Sequence, residues 1–185
     1  MTINNQLIQA CIRKERRAQY ELYKSSYGIL MAVCLRYERN KEDAEFLLNK
    51  AFLKILNNLE SYAPEVPFEA WIRRITINTA IDEYRKAQRS KVDYVEEPMQ
   101  LAALSEMDYN EAEKQFDAEE LIALVQQLPP VSQKVFNLYI IDGYNHKEIA
   151  EQLGMSEGTS KWHLSSARKK LQEMMRKKMD NDNVA

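Results

Sequence analysis

With 185 residues, 45% of them apolar, the chain is long enough for one ordinary domain or two small ones with real cores, and four glycines and five prolines are too few for a loop-rich or all-β protein. The formal net charge of −2 hides a pattern: 15 Lys+Arg stand against 11 Asp+Glu in residues 1–90, 2 against 10 in 91–120, and 9 against 7 in 121–185. The N-terminus lacks the uninterrupted apolar core of a secretory signal, and the longest apolar run, ILMAVCL at 29–35, falls far short of the ~20 residues that span a bilayer, so a soluble, cytoplasmic protein without membrane insertion is expected.

The opening block reads as helices. Residues 20–37 space Tyr20, Tyr23, Tyr27, Leu30, Cys34 and Tyr37 at steps of three or four. Residues 42–59 carry Ala44, Leu47, Leu48, Ala51, Phe52, Ile55, Leu56 and Leu59 on one stripe. Both patterns predict helices with these side chains in a core. Cys11 and Cys34 lack metal-type or redox-type spacing and read as reduced core residues. His146 and His163 have no cysteine or histidine nearby, which argues against zinc; no cofactor is expected. Pro64 and Pro67 break the helix within SYAPEVPF, 61–68, and another is expected over about 69–88. On that helix Arg74, Asn78 and Arg85 fall within about 40° of one another, a stripe of two fixed cations and an amide.

Residues 90–117 lose the periodicity and gain acid, which reads as a linker with a short helix near its end. AEELIALVQQL then predicts a helix stopped by Pro129 and Pro130, and VSQKVFNLYIID a second, ended by Gly143. NHKEIAEQLGMSEGTSKWHLSSARKKL has the mechanics of a helix-turn-helix. Asn145 caps the first helix and Ile149, Ala150 and Leu153 form its buried stripe. Gly154 suits the left-handed residue after a helix end, Met155 fills the angle, and Ser156 caps the second helix. Ser160, Leu164, Ala167 and Leu171 face inward there. Thr159, Trp162, Ser165, Ser166 and Lys169 face outward, with Lys161 and Arg168 at the edge.

The segments LYKSSYGILMAVCLRY, KEDAEFLLNKAFLKILNNL, FEAWIRRITINTAIDEYRK and LPPVSQKVFNLYIIDGYNHKEIAEQLGMSEGTSKWHLSSARKKL, in that order, resemble the extracytoplasmic-function (ECF) sigma factors of bacterial RNA polymerase, in forms like those common in Bacteroidetes. The resemblance covers about 6–90 and 118–175. It implies an all-α chain of two small helical domains: sigma domain two at 1–90, an acidic linker at 91–117, sigma domain four at 118–178 and a tail at 179–185. It further implies a promoter-specificity subunit whose partners are core RNA polymerase, promoter DNA and an anti-sigma factor or recruiting protein, with a linker that threads toward the RNA exit path. Carried onto this chain, Asp43, Glu45, Phe46, Asn49 and Lys50 dock on the polymerase. Tyr62, Glu65 and Phe68 line a pocket for a flipped base of the minus-ten element, and Arg74, Asn78 and Arg85 contact the same region. Thr159, Lys161, Trp162, Ser165, Ser166, Arg168 and Lys169 face the minus-thirty-five element.

Two departures from the family pattern stand out. In the docking helix Phe46 replaces an acid and Lys50 reverses a charge; Phe46 either packs within its domain or marks an extra protein contact. In the recognition helix the outer face is poor in arginine. Arginine on guanine gives ~1–3 kcal/mol of base discrimination, which Ser166 cannot supply, whereas Lys161, Arg168 and Lys169 can hold phosphates without reading sequence. Weak minus-thirty-five specificity is therefore expected. The aromatics of the proline loop have a second reading as core packing, and Trp71 reads first as core. Isolated carboxylates and the lack of a phosphate loop or nucleophile motif argue against an enzyme. Two other classes stay open, a polymerase-independent two-domain helix-turn-helix regulator and a protein-binding adaptor using the Trp162 face.

Overall fold

The computed structural model describes residues 3–90 and 118–182, so the expected linker and its short helix lie outside the described residues. The chain divides into two compact units, Met1–Ser90 and Lys91–Ala185. The described residues form helices and no strand, and none of their helices is long and apolar enough to cross a membrane.

The first unit contains α1 (Asn5–Ile12), α2 (Arg16–Tyr37), α3 (Lys41–Asn58), a short 3-10 turn (Leu59–Ser61) and α4 (Phe68–Ser90). Helices α2, α3 and α4 pack pairwise against one another, and α1 lies on α2 and the 3-10 turn. Their meeting stripes close over Leu22, Leu30, Leu48, Ile55 and Ile72, each contributing about 2 kcal/mol through the apolar surface it removes from water. The start of α3 is set locally. The Asn40 side chain accepts the Asp43 N–H at 2.8 Å, and Glu42 and Asp43 suit the positive end of the helix dipole. Helix α4 buries threonines as well as aliphatics: Thr76 and Thr79 donate their hydroxyls to the Ile72 and Ile75 carbonyls at 2.8 and 2.7 Å. With those polar atoms satisfied inside the helix, two faces of α4 can turn inward and leave one for solvent.

The cysteines are buried free thiols. Burial pushes the Cys11 thiol up to about 11 and the Cys34 thiol to about 12. The tyrosine stripe of α2 is only partly inside. Tyr37 is buried, Tyr23 and Tyr27 are half-buried, and Tyr20 is 65% exposed, contrary to the core position its spacing predicts. Over more than four turns the straight helix rotates a three-and-four stripe away from its neighbours, so the first tyrosine emerges into solvent.

The second unit contains α5 (Ala118–Gln126), α6 (Pro130–Phe136), a π-turn (Asn137–Ile141), α7 (His146–Leu153) and α8 (Glu157–Asp182). Helices α5, α6 and α7 all pack on α8. The helix expected over VSQKVFNLYIID is interrupted. From Asn137 the bonding widens, with the Asp142 N–H reaching the Asn137 carbonyl at 2.9 Å, while Asn137 and Leu138 stay fully buried. Gly143 then takes a positive φ of 76° and ends the element. Helix α8 runs to Asp182, past the boundary of 178 expected for this domain, with Met175 buried and Lys178 paired to Glu120 of α5.

Between α7 and α8 the chain turns as its sequence dictates. Asn145 and Glu148 form a reciprocal capping box at 3.0 and 2.8 Å. Gly154 ends α7 at φ 69°, ψ 40°, and Ser156 caps α8 by accepting the Thr159 N–H at 3.0 Å. A Cβ on Gly154 would meet nothing within 4 Å, so Gly154→Ala tests the backbone alone. It is expected to lower stability by roughly 1–2 kcal/mol, read as a lower urea midpoint at unchanged slope.

Candidate nucleic-acid interface

In α8, Ser160, Leu164, Ala167 and Leu171 are buried, and Thr159, Trp162, Ser165, Ser166 and Arg168 are half-buried beside exposed Lys161 and Lys169. The candidate reading residues therefore share one outer face, though not as equals. The Thr159 hydroxyl lies 2.9 Å from that of Ser156 within the cap, so it serves the helix start before any base. The Trp162 ring stands edge-on to His163, centroids 4.8 Å apart. Lys161 and Lys169, open to solvent, suit phosphates.

Two imidazoles to which the sequence assigns no role hold this helix in place. His163 is buried, with Nδ1 3.0 Å from the Ser132 hydroxyl on α6. His146, at the start of α7, has Nδ1 2.9 Å from the buried Ser160 hydroxyl on α8 and is stacked on Tyr139, centroids 4.4 Å apart. The partners are 31 and 14 residues apart in sequence, so no local pattern announces them; a histidine and serine falling on the inward stripe of α8 are the only hint.

In the first unit, the proline loop places Tyr62, Phe68 and Trp71 in one cluster, with ring centroids 5.1, 5.2 and 5.7 Å apart pair by pair. The Tyr62 hydroxyl donates to the Val66 carbonyl at 2.8 Å and closes the loop. Phe68 is only 9% exposed. Its ring meets Tyr62 edge-on and Trp71 at a tilt, so it packs inside the cluster that the loop forms. Tyr62 and Trp71 are half-buried and Glu65 is exposed. Beyond the loop, Arg74 and Asn78 are exposed on α4 and Arg85 is half-buried. Arg73, which the helical wheel sets apart from that stripe, is exposed too and adds a cation beside Arg74.

The docking face of α3 differs most from its sequence reading. Phe46 is 61% exposed, so it does not pack within its domain, and Leu53, two turns on, is also exposed. The Lys50 ammonium lies 4.3 Å from the Phe46 ring centroid and pairs with Glu83 of α4, which also binds Lys86 at 3.0 Å. The Lys50 hydrogen bond, ahead of the other influences, holds the Glu83 carboxyl below the usual range. Lys54 and Asp82 make a second α3–α4 pair at 2.8 Å. The reversed charge of Lys50 is thus answered inside the domain. Asp43 is exposed and accepts from Asn40 Nδ2 at 2.9 Å; Glu45 is half-buried, 3.9 Å from Lys41; Asn49 accepts the Tyr23 hydroxyl at 3.3 Å. Among the described residues no three His, Cys, Asp or Glu gather as a metal site would need.

Two family models match the chain: Sigma-70 region 2 over residues 22–90, and Sigma-70, region 4 over residues 118–171. The chain is 26% identical over 160 residues to the ECF RNA polymerase sigma factor SigE of Mycolicibacterium smegmatis, covering 85% of this chain and 61% of that protein. It is 25% identical over 175 residues to SigM of Mycobacterium tuberculosis, covering 93% and 84%, and 28% identical over 132 residues to SigZ of Bacillus subtilis, covering 70% of each. Among solved structures, RpoE of Bartonella quintana in complex with the anti-sigma factor NepR aligns at 19% identity and a TM-score of 0.49, covering 84% of this chain and 97% of that one.

Burial first, then the Lys161 cation, opposed by Glu157 and aided by Arg168, lowers the His146 pKa below its usual 6.5. The unfolded chain therefore takes up the proton first as pH falls. Stability is full above about pH 6.5, declines as pH drops toward the folded-state value, and levels off below it. His146→Phe keeps an aromatic partner for Tyr139 and removes the titration, so urea midpoints at about pH 8 and about pH 5.5 are expected to converge in that variant relative to the parent.

Proposed function

The chain belongs to the extracytoplasmic-function sigma factors, built from sigma-70 regions 2 and 4, and from that membership we propose how its surfaces act on core RNA polymerase and promoter DNA. The observation that carries the reading is the order of the two matches in one chain: a region 2 unit with a cationic face on α4, then a region 4 unit whose α8 presents Lys161 and Lys169 over a rigid turn. A polymerase-independent regulator needs only the second of these.

The protein binds core polymerase, directs promoter recognition and strand opening, and works in the cytoplasm. Its α3 face makes the polymerase contact through Asp43, Glu45 and Asn49, with Phe46 adding an apolar anchor where relatives carry an acid. An exposed aromatic beside an internally neutralised lysine gains from burial against a partner without stranding a charge. At the minus-ten element Tyr62 and Glu65 meet the extruded base, Phe68 and Trp71 back the loop, and Arg74, Asn78 and Arg85 hold the adjoining strand. Extruding a base costs a few kcal/mol, which favours a loop already closed by the Tyr62–Val66 bond. At the minus-thirty-five element α8 holds phosphates through Lys161, Arg168 and Lys169, while Trp162, Ser165 and Ser166 read little. A recruiting protein or the minus-ten contacts then carry the specificity, and an anti-sigma factor is the natural regulator. An origin among Bacteroidetes-like lineages rests on the sequence segments alone.

Purified protein added to bacterial core polymerase is expected to form a stable complex and to produce new transcript starts by sequencing; no complex and no new starts would sink the reading. Phe46→Ser is expected to weaken the complex more than Lys50→Ala. Lys161→Ala with Lys169→Ala is expected to weaken upstream binding equally across sequences and to flatten its salt dependence by about 1 for each phosphate no longer held. A sharp upstream consensus that disappears with Trp162→Ala would overturn the assignment of weak reading.

A further inference from the structure

The outer face of α2 near its start carries a cationic stripe with an aromatic at its centre, and none of the surfaces above uses it. Arg16 and Arg17 open the helix, Tyr20 follows one turn later, and Lys24 one turn after that. All four are exposed: the Arg17 side chain at 94% and Tyr20 at 65%, the largest value among the exposed large hydrophobics. The corner before α2 adds Arg13 and Lys14, where Lys14 takes a positive φ of 61° and turns the chain from α1 into α2. The acids nearby are few and engaged. Glu15 pairs with Arg13 at 2.8 Å, and Glu21 lies 3.8 Å from Arg17. Arg17, Tyr20, Glu21, Lys24 and Ser25 line an open depression.

Helix stability does not explain this arrangement. The first turn of α2 has no acidic residue and its Glu15 N-cap makes no side-chain cap bond, although the helix dipole favours anions there and disfavours Arg16 and Arg17. Core packing does not explain Tyr20 either, since its ring lies in solvent. Glu15 and Glu21 answer Arg13 and Arg17, but Arg16, Tyr20 and Lys24 break the local rules without a comparable gain, which points to a partner.

We propose that the Arg16–Arg17–Tyr20–Lys24 face of α2 binds single-stranded nucleic acid, with the cations on successive phosphates and Tyr20 stacked on an unpaired base. From Arg17 to Lys24 the helix rises about 10 Å, enough to follow several nucleotides of one strand. A flat aromatic between cations is the arrangement that single-strand binders use without sequence preference. A duplex satisfies the cations but offers Tyr20 no base face, because its bases are stacked on one another. None of its residues lies on α4 or α8, and the proposal does not depend on polymerase binding.

The test uses the full chain and a fluorescent oligothymidine, with affinity measured across a salt series. Arg16→Ala, Arg17→Ala and Lys24→Ala combined are expected to reduce the slope of log affinity against log salt by about 2, at ~0.7 per phosphate held on a single strand. Tyr20→Ala is expected to lose about tenfold in affinity at unchanged slope, and Tyr20→Trp to retain it. Urea midpoints equal to the parent's keep misfolding from imitating these effects. Binding too weak to show salt dependence, or a slope untouched by the triple substitution, would overturn the proposal. So would a triple variant that keeps the oligonucleotide and loses only core polymerase, which would assign the stripe to an acidic protein surface. The oligonucleotide result stands whether or not the polymerase experiment succeeds.

Discussion

A helix that offers one face to a ligand must be prevented from turning about its own axis, and in α8 that restraint comes from two imidazole–hydroxyl contacts. Apolar packing of Leu164, Ala167 and Leu171 presses the helix inward but tolerates small rotations. The His163–Ser132 and His146–Ser160 contacts, at 3.0 and 2.9 Å, tolerate far less, because each joins directional groups, the first fully buried and the second partly so. They also tie α8 to different neighbours, α6 on one side and α7 on the other. The cap at Ser156 and the left-handed Gly154 then fix where the helix begins. Which side chains of α8 face outward is decided by these few polar contacts.

The first unit solves the same problem with charge. Lys50, Glu83 and Lys86, with Lys54 and Asp82, stitch α3 to α4 along partly exposed edges. Pairs in such places contribute modestly to stability, typically under about 1 kcal/mol each. Their larger effect is on what is left over. Once these groups are paired with each other, α4 presents Arg73, Arg74 and Asn78 to solvent, and α3 presents Phe46 with the charge beside it already balanced.

The elements that the sequence revealed are those whose causes are local. Asn145, Gly154 and Ser156 act within four residues of themselves, and the apolar stripes of α3, α7 and α8 repeat along one element, so pattern alone places them. What escaped depends on distant partners. Sequence alone left Phe46 open between packing in its domain and an outside contact until its exposure was seen, and Tyr20 continues a stripe that its neighbours no longer cover. The π-turn follows an ordinary helical pattern, and nothing in NLYII marks the widening. The place of Phe68 in the loop was legible, whereas its contacts with Tyr62 and Trp71 depend on how the loop folds back on α4.

The two buried thiols carry a consequence for how such a protein senses its surroundings. With Cys11 and Cys34 held in the core and their pKa values near 11 and 12, the thiolate that oxidants attack is scarce at neutral pH. Neither thiol is therefore set up as a direct target of oxidants in the folded state. The same chemistry makes the cysteines clocks for breathing of the first unit, since each alkylation event records a moment when α1 or α2 has lifted from the core.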